Sequence, residues 1–281
     1  MDIQWYPGHM TKSKRQIMAD IGLCDVVLEL LDARIPNSSR NPDIIELASG
    51  KKHIVILNKA DLANPNVTSL WEKFFNAQGI RAISATSNTS KTQTTVIRAA
   101  EEMMKERNER LKNRGRLNPV TRTIVLGIPN VGKSTLINQY AKRTAAAAAN
   151  RPGVTRGKQW INVNPTFTLL DTPGILWPKI DDEAVTARLA LTGAIKETRI
   201  DVVLLACYGL YSLMNISPEI LKQRYKIELN ENEPELAMLE KLGAARGYVL
   251  PKGVIDLERA ATALVKEFRD GVLGRISLEK P

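Results

Sequence analysis

The chain has 281 residues, of which 43% are hydrophobic and 25% are charged, values that are ordinary for a globular protein and argue against a largely disordered one. Forty Lys and Arg against thirty Asp and Glu give a formal net charge of +10, which favours a polyanionic partner. Cys24 and Cys207 stand far apart with no CxxC motif, which excludes a disulfide framework and a zinc cluster. We therefore expect a cytoplasmic protein with no secretory signal and no membrane contact.

Short apolar runs that alternate with amphipathic stretches predict an α/β fold with a mainly parallel sheet. The predicted strands are Val26–Leu31, Ile54–Leu57, Arg81–Ser84, Thr123–Gly127 and Thr168–Leu170. Between the third and fourth strands, apolar residues at helical spacing over 96–111 predict one helix that runs into a basic connector.

Beyond Pro178 the pattern becomes helical. The run Val202–Leu205 fits either a buried strand or a buried helix, but apolar residues from Leu257 to Phe268 form one clear helical stripe. We therefore predict a sheet-containing domain over residues 1–178 and a small all-α domain over 179–281. From residue 215 onward, Lys and Arg equal Asp and Glu in number, so the excess positive charge lies in the preceding part of the chain.

The segment Gly127–Ser134 matches G-x-x-x-x-G-K-S, follows an apolar strand and precedes a helical stretch, as a phosphate-binding loop requires. Backbone N–H groups of such a loop cradle phosphate oxygens, Lys133 reaches the β- and γ-phosphates, and the Ser134 hydroxyl ligates Mg²⁺. The predicted phosphate-side residues are Asn130, Val131, Gly132, Lys133, Ser134 and Thr135.

A second motif, Asp171-Thr172-Pro173-Gly174, closes the strand that ends at Leu170. Its position places the Asp171 carboxylate at a strand's carboxyl end, where it can hold Mg²⁺ directly or through water. Gly174 would then offer its backbone N–H to the γ-phosphate. Together with the phosphate loop, this motif predicts a nucleoside triphosphate site.

Guanine is the base that the sequence predicts, because Asn58-Lys59-Ala60-Asp61 follows the apolar run Ile54–Leu57. A carboxylate such as that of Asp61 can accept two hydrogen bonds from guanine N1–H and N2–H₂, and adenine has no donors at those positions. A further strand ends at Ser84-Ala85, where a backbone N–H could meet guanine O6. Thr86 stands where many GTPases have Lys, a difference that could loosen the base pocket.

The order of these motifs is the most informative feature of the sequence. In ordinary small GTPases the phosphate loop comes first, whereas here it follows the NKxD and SA elements, so the domain is circularly permuted. With Trp5–Met10, Asp32–Pro36 and Arg151–Thr155, the chain resembles the circularly permuted GTPases of ribosome assembly over essentially its whole length. That resemblance implies a circularly permuted P-loop GTPase domain over 1–178. It also implies a role in maturing the large ribosomal subunit, with the helical domain over 179–281 contacting ribosomal RNA and proteins.

Hydrolysis needs a positioned water and a closed switch. Thr155 matches the switch I threonine of the family, which brings its hydroxyl and carbonyl to Mg²⁺ and the γ-phosphate. Ile175 follows Gly174, so no glutamine soon after that motif can orient water. In the resembled family the histidine at the position of His9 is the proposed catalytic residue, and an imidazole can orient water or accept its proton. A non-catalytic role for His9, in which it caps the next helix or contacts RNA, stays open. We expect the other histidine, His53, to lie at the surface.

Asn130 could coordinate a potassium ion that bridges the phosphates, as in related GTPases with Asn at this position. We therefore expect GTP as substrate, GDP as product, and Mg²⁺ and K⁺ as cofactors. We also expect a monomer whose basal GTP turnover is slow and is activated by its ribosomal partner. Two rivals remain open. One is a GTP-switched RNA-binding protein that acts on the small subunit or another RNA, and the other, an ATP-using enzyme, is opposed by the NKxD segment.

Overall fold

A computed structural model of the chain describes residues 17–86, 90–147, 160–172, 180, 182–195, 200–230 and 232–281. Its strands are β1 (Val26–Asp32), β2 (Lys52–Asn58), β3 (Arg81–Ser84), β4 (Thr121–Gly127), β5 (Trp160–Asn164) and β6 (Phe167–Leu170). The α-helices that lie wholly within the described residues are α1 (Pro42–Leu47), α2 (Pro65–Ala77), α3 (Ser90–Met103), α4 (Lys105–Asn113), α5 (Lys133–Ala147), α6 (Glu183–Leu191), α7 (Val202–Ile216), α8 (Pro218–Tyr225), α9 (Glu235–Ala245) and α10 (Leu257–Arg269).

The six strands form one sheet in the order β3-β2-β1-β4-β6-β5, in which only β5 runs antiparallel to its neighbour. Every residue of β1 is buried, as expected of a central strand in a parallel sheet that is covered on both faces. All five predicted strands are present, and β5 is an addition at the edge. The prediction of an α/β fold with a mainly parallel sheet followed by helices is confirmed.

The register of the sheet brings several strand ends to the same height. Asp32 at the end of β1 pairs with Asn58 at the end of β2, and Leu57 pairs with Ser84 of β3. On the other side of β1, Leu30 pairs with Gly127, the last residue of β4. The loops that carry the predicted motifs therefore leave one edge of the sheet together, the edge where ligands bind in open parallel sheets.

Two of the helical predictions need refinement. The stretch predicted as one helix over 96–111 forms two helices, α3 and α4, that are separated at Met104. The ambiguous run Val202–Leu205 is helical and begins α7, because the Asp201 side chain caps the helix by accepting hydrogen bonds from the amides of Val203 and Leu204.

The largest hydrophobic cluster continues from the sheet into the C-terminal helices, from Val26 and Ile56 to Leu264 and Phe268. The predicted apolar stripe of α10 is buried within it, which explains why that helix is amphipathic. The domain boundary predicted at 178/179 lies outside the described residues, and that division remains a prediction. Among the helices that the structure describes, none combines the length and the apolar character that a bilayer crossing needs.

After α10 the chain returns to the sheet, in a segment that we call the C-terminal strap (residues 273–279). Leu273 and Ile276 are buried in the large cluster, and the Leu278 amide donates to the Arg34 carbonyl over 2.8 Å. The Glu279 carboxylate accepts from the amide of Asn37 at 2.8 Å and from Arg188 Nη1 at 3.1 Å. The strap therefore joins the loop after β1 to α6, a contact that the sequence did not predict.

Candidate nucleotide site

The phosphate loop connects the end of β4 to the start of α5 through backbone conformations that require its glycines. Gly127 and Gly132 have φ angles of +154° and +104°. A Cβ on Gly127 would lie 2.7 Å from the Leu30 carbonyl oxygen, so a side chain there would collide with β1. Asn130 also has a positive φ of 58°, a conformation that asparagine tolerates better than most residues.

Asn58 supports the phosphate loop from the neighbouring strand. Its side chain is buried, and Nδ2 donates to the Val131 carbonyl over 2.6 Å. We predicted Asn58 as a nucleotide-binding residue on its motif alone, and the structure places its amide against the loop itself. Asn58 thus joins the base-reading segment to the phosphate-binding segment.

Lys133 and Asp171 form the electrostatic centre of the site. Burial lowers the pKa of the Lys133 ammonium, and the Asp171 carboxylate acts in the opposite direction. Burial likewise raises the pKa of Asp171, against the effect of Lys133. Both pKa values are thus shifted toward the neutral form of the group, that of Lys133 because it is buried and that of Asp171 because it is partly desolvated beside it.

The residues present fit a magnesium-bound triphosphate. Ser134 and Thr135 are exposed in the first turn of α5, where the helix N-terminus favours anions. Asp171 follows β6 and is also exposed, while its neighbour Thr172 is buried and donates through Oγ1 to the Val125 carbonyl over 2.5 Å. That bond fixes the start of the loop that begins at Asp171 against β4. Hydroxyl and carboxylate oxygens are the ligands that Mg²⁺ prefers.

A cleft of about 740 Å³ lies beside the predicted base-reading segments, and Asp61, Ser84 and Ala85 line it. The two segments are joined by their backbones, since the Ala60 amide donates to the Ala85 carbonyl over 3.1 Å. The Thr86 hydroxyl donates to Asp61 Oδ1 over 3.1 Å. Thr86 therefore orients the Asp61 carboxylate, and the looser base pocket that its departure from Lys could cause stays a prediction.

Lys59 is held by a buried charge cluster at the end of β1. Its Nζ lies 3.0 Å from Asp32 Oδ2, and Arg34 binds the same carboxylate through Nε at 2.9 Å and Nη2 at 2.8 Å. Burial alone would raise the pKa of Asp32, but Arg34 and Lys59 outweigh it and lower that pKa to about 2. Asp32 is therefore a carboxylate at neutral pH and fixes Lys59, which has a φ of +58°, beside the base cleft.

Asn130 links the phosphate loop to the helical part of the chain. Its Nδ2 donates to the Gly193 carbonyl over 2.7 Å, just after α6 ends. With the amide nitrogen used in this way, Oδ1 is the atom that remains to accept or to coordinate a cation. The sequence predicted a role for Asn130 but gave no signal of its contact with Gly193.

Three predicted site residues, His9, Thr155 and Gly174, lie outside the described residues. The prediction that His53 is a surface histidine is wrong. Its side chain is only 13% exposed, and Nε2 lies 3.0 Å from Oε2 of the buried Glu29. The residue precedes an apolar run in sequence, but β2 begins at Lys52 and carries it inward against β1.

Comparisons with known proteins agree with this geometry. A family model described as 50S ribosome-binding GTPase matches residues 122–241. The ribosome biogenesis GTPase A of Bacillus pumilus is 43% identical, covering 100% of this chain and 99% of its own, and that of Thermotoga maritima is 32% identical over 99% and 95%. A GNP-bound structure of YlqF from T. maritima superposes with a TM-score of 0.65 at 29% identity, over 96% of this chain and 98% of that one.

Proposed function

The chain belongs to the ribosome biogenesis GTPase A family, and from that membership we propose that it hydrolyses GTP to mature the large ribosomal subunit, with turnover stimulated by the particle. Family membership itself makes the protein a GTPase of ribosome assembly. The choice of the large subunit is supported by the 50S ribosome-binding description of the matching family model. The observation that carries the chemistry is the meeting of the phosphate loop, Asp171 and the Asp61 cleft at one sheet edge.

In this proposal GTP lies across the carboxyl ends of the strands with its base in the Asp61 cleft. The carboxylate of Asp61 accepts from guanine N1–H and N2–H₂, and an adenine base offers no donor at those two positions. Lys133 neutralises charge on the β- and γ-phosphates. Its lowered pKa supports this role, because a phosphate would supply the compensation that a buried ammonium lacks.

Ser134, Asp171 and Thr155 would hold Mg²⁺, through hydroxyl oxygens and a carboxylate. When bound, Mg²⁺ supplies positive charge against the oxygens of the transferred phosphoryl group. The chain's own contribution is to fix these ligands. Thr172 anchors the Asp171 loop on the Val125 carbonyl, and the Gly174 amide would donate to the γ-phosphate.

We assign the positioning of the attacking water to His9, because the residue after Gly174 is Ile175 and has no polar group. An imidazole with an ordinary pKa can accept the water's proton as the water attacks the γ-phosphorus. Thr155 would complete the closed switch. These roles rest on sequence and resemblance.

Asn130 would coordinate K⁺ through Oδ1, which supplies charge where other GTPases use an arginine finger. The bond from Nδ2 to the Gly193 carbonyl supports this orientation of the amide. Replacement of K⁺ by Na⁺ should therefore lower the stimulated rate. An unchanged stimulated rate in Na⁺ would remove K⁺ from the proposal.

The same contact gives the helical region a direct connection to the phosphate loop. We propose that residues 179–281 form the domain that contacts ribosomal RNA and proteins, and that the state of the nucleotide governs this docking. A movement of Asn130 on loss of the γ-phosphate would displace Gly193 and the end of α6. Because α7 packs on α6, that displacement would also reach α7.

The first experiment measures GTP turnover in potassium buffer, alone, with purified large subunits and with small subunits at the same concentration. Stimulation by large subunits alone is the expected result, with a gain of roughly 10³-fold or more because the charge-stabilising groups are completed on the particle. Stimulation by small subunits alone would favour the GTP-switched RNA-binding alternative. A competition between ATP and GTP in the same buffer tests the base.

The role of His9 is tested with His9→Ala, and His53→Gln is the matched control at the other of the chain's two histidines. We expect His9→Ala to lower kcat by roughly 10²-fold or more while GTP affinity is kept. His53→Gln should leave kcat unchanged, since His53 lies against Glu29 within the sheet. Loss of GTP affinity with intact turnover in His9→Ala would assign His9 a different role.

A further inference from the structure

The loop that carries Asp61 is held by residues more than 200 positions away in sequence. Arg275, in the C-terminal strap, donates from Nη2 to the Ala60 carbonyl over 2.8 Å and from Nε to the Ala63 carbonyl over 2.9 Å. The Ile276 amide donates to the Leu62 carbonyl over 2.9 Å. The strap thus binds the carbonyls on both sides of Asp61.

The strap is fixed firmly enough to act as a support. Ile276 is 2% exposed. The Glu279 carboxylate is bound by the amides of Asn37 and Ser38, by the Ser38 hydroxyl and by Arg188, and the Glu279 carbonyl accepts from Trp71 Nε1 over 3.3 Å. These bonds hold the carboxyl end of the strap, and the burial of Leu273 and Ile276 holds the rest of it, so Arg275 is presented from a rigid position.

Arg275 itself lies at the base cleft, which it lines together with Asp61, Ser84 and Thr86. The residue is exposed, and its guanidinium brings a positive charge to the loop that presents a carboxylate. A planar guanidinium with two donors on two carbonyls sets the direction of the loop as well as its distance, which a single hydrogen bond does not.

We propose that Arg275 is a positioning residue for guanine recognition, which holds the Ala60–Ala63 loop so that Asp61 meets the base without first having to be ordered. The proposal rests on the proposed function, since it requires a guanine nucleotide in the Asp61 cleft. Preorganisation of this kind improves affinity because binding no longer includes the cost of ordering the loop. Because Asp61 makes two hydrogen bonds to guanine but one to hypoxanthine, a poorly held loop should lose guanine affinity the most.

The experiment compares binding of GDP and inosine diphosphate, in the presence of Mg²⁺, to the wild type, Arg275→Met and Arg275→Lys. Arg275→Met keeps the aliphatic stem and removes the donors. We expect its Kd to rise about tenfold for GDP and about threefold for inosine diphosphate, so that selectivity falls about threefold. Arg275→Lys, which can reach one carbonyl, should give an intermediate ratio and is the deciding variant if Arg275→Met does not fold.

Arg269→Ala is the matched control. Arg269 also places its guanidinium on two carbonyls, those of Ala190 at 2.7 Å and Leu191 at 2.9 Å, but away from the base cleft. Its loss should lower thermal stability and leave the ratio of the two Kd values unchanged. A merely structural role of Arg275 would give this same pattern.

The outcomes separate the inference from the function on which it rests. A wild type that prefers GDP, with the same preference in both Arg275 variants, would overturn the role of Arg275 and leave the guanine site in place. A wild type that binds the two nucleotides equally would overturn both. A reduced ratio in Arg275→Met that Arg275→Lys partly restores is the result that the structure leads us to expect.

Discussion

Asp32→Asn should destabilise the protein strongly, because Arg34 and Lys59 both bind the Asp32 carboxylate. In the wild type, Arg34 Nη2 and Lys59 Nζ both donate to Asp32 Oδ2 over 3.0 Å or less. An asparagine has an NH₂ group in place of one carboxylate oxygen, so a donor would face these cationic donors. Arg34 is 2% exposed, and among the described residues its Nη1 already has no hydrogen-bond partner. Its charge would therefore stay buried without compensation.

The size of the effect follows from two arguments. The pKa of Asp32 falls from its ordinary 3.8 to about 2 on folding, which corresponds to roughly 2 kcal/mol of stability above pH 4. Removing one partner of a buried ion pair costs about 3–5 kcal/mol, because the other charge is left unpaired. We therefore expect Asp32→Asn to lower the free energy of unfolding by roughly 3 kcal/mol at pH 7.

The assay is urea denaturation of the nucleotide-free protein from pH 7 downward. Because folding depresses the pKa of Asp32, its contribution is complete above the unfolded pKa of 3.8 and is lost as pH falls toward about 2. The difference between wild type and variant should thus narrow below pH 4. Glu102→Gln is the control, since its pair with Arg98 is exposed and should contribute less than about 1 kcal/mol. A cost below about 1 kcal/mol for Asp32→Asn, or one that does not change with pH, would refute this reasoning.

Three further substitutions test separate parts of the structure. Gly127→Ala should abolish measurable GDP binding in a titration, because its Cβ would lie 2.7 Å from the Leu30 carbonyl and displace the phosphate loop. Lys133→Met should also lose GDP binding, yet raise the urea midpoint of the nucleotide-free protein slightly, since burial already disfavours that charge. Glu267→Gln should cost roughly 2 kcal/mol at pH 7 by urea denaturation, because it weakens bonds to Arg224 at 2.6 and 2.8 Å. Those bonds lower the pKa of Glu267, so this cost should shrink below pH 4.5.

Much of the sheet could be predicted because each parallel strand is an apolar run followed at once by a polar motif. Val26–Leu31 and Ile54–Leu57 are buried on both faces, and periodicity is not needed to recognise them. The edge strand β5 was missed because Trp160–Asn164 mixes polar and apolar residues and depends on pairing with β6. The split of the predicted helix at Met104 also has no clear sequence signal.

The sequence predicted the residues of the individual site motifs but not the hydrogen bonds that connect those motifs. The phosphate loop and the NKxD segment are local patterns that chemistry dictates, so their residues could be named individually. The bond from Asn58 to Val131 joins those two patterns over 73 positions, and the bond from Asn130 to Gly193 joins the phosphate loop to the helical region over 63 positions. Backbone carbonyls accept in both, and a carbonyl carries no sequence information, which is why these contacts needed a structure.

The C-terminal strap also sets the order in which this molecule is completed during synthesis. The amide of Asn37 donates to the carboxylate of Glu279, a residue that is synthesised 242 positions later. At translation rates of about 5–20 residues per second, this delay is on the order of 10–50 seconds. The sheet can form in that time, but the carbonyls of Ala60, Leu62 and Ala63 lack the donors that the strap supplies until the strap itself has emerged. A newly made chain therefore passes through a period in which its phosphate loop is present while its base cleft is unfinished.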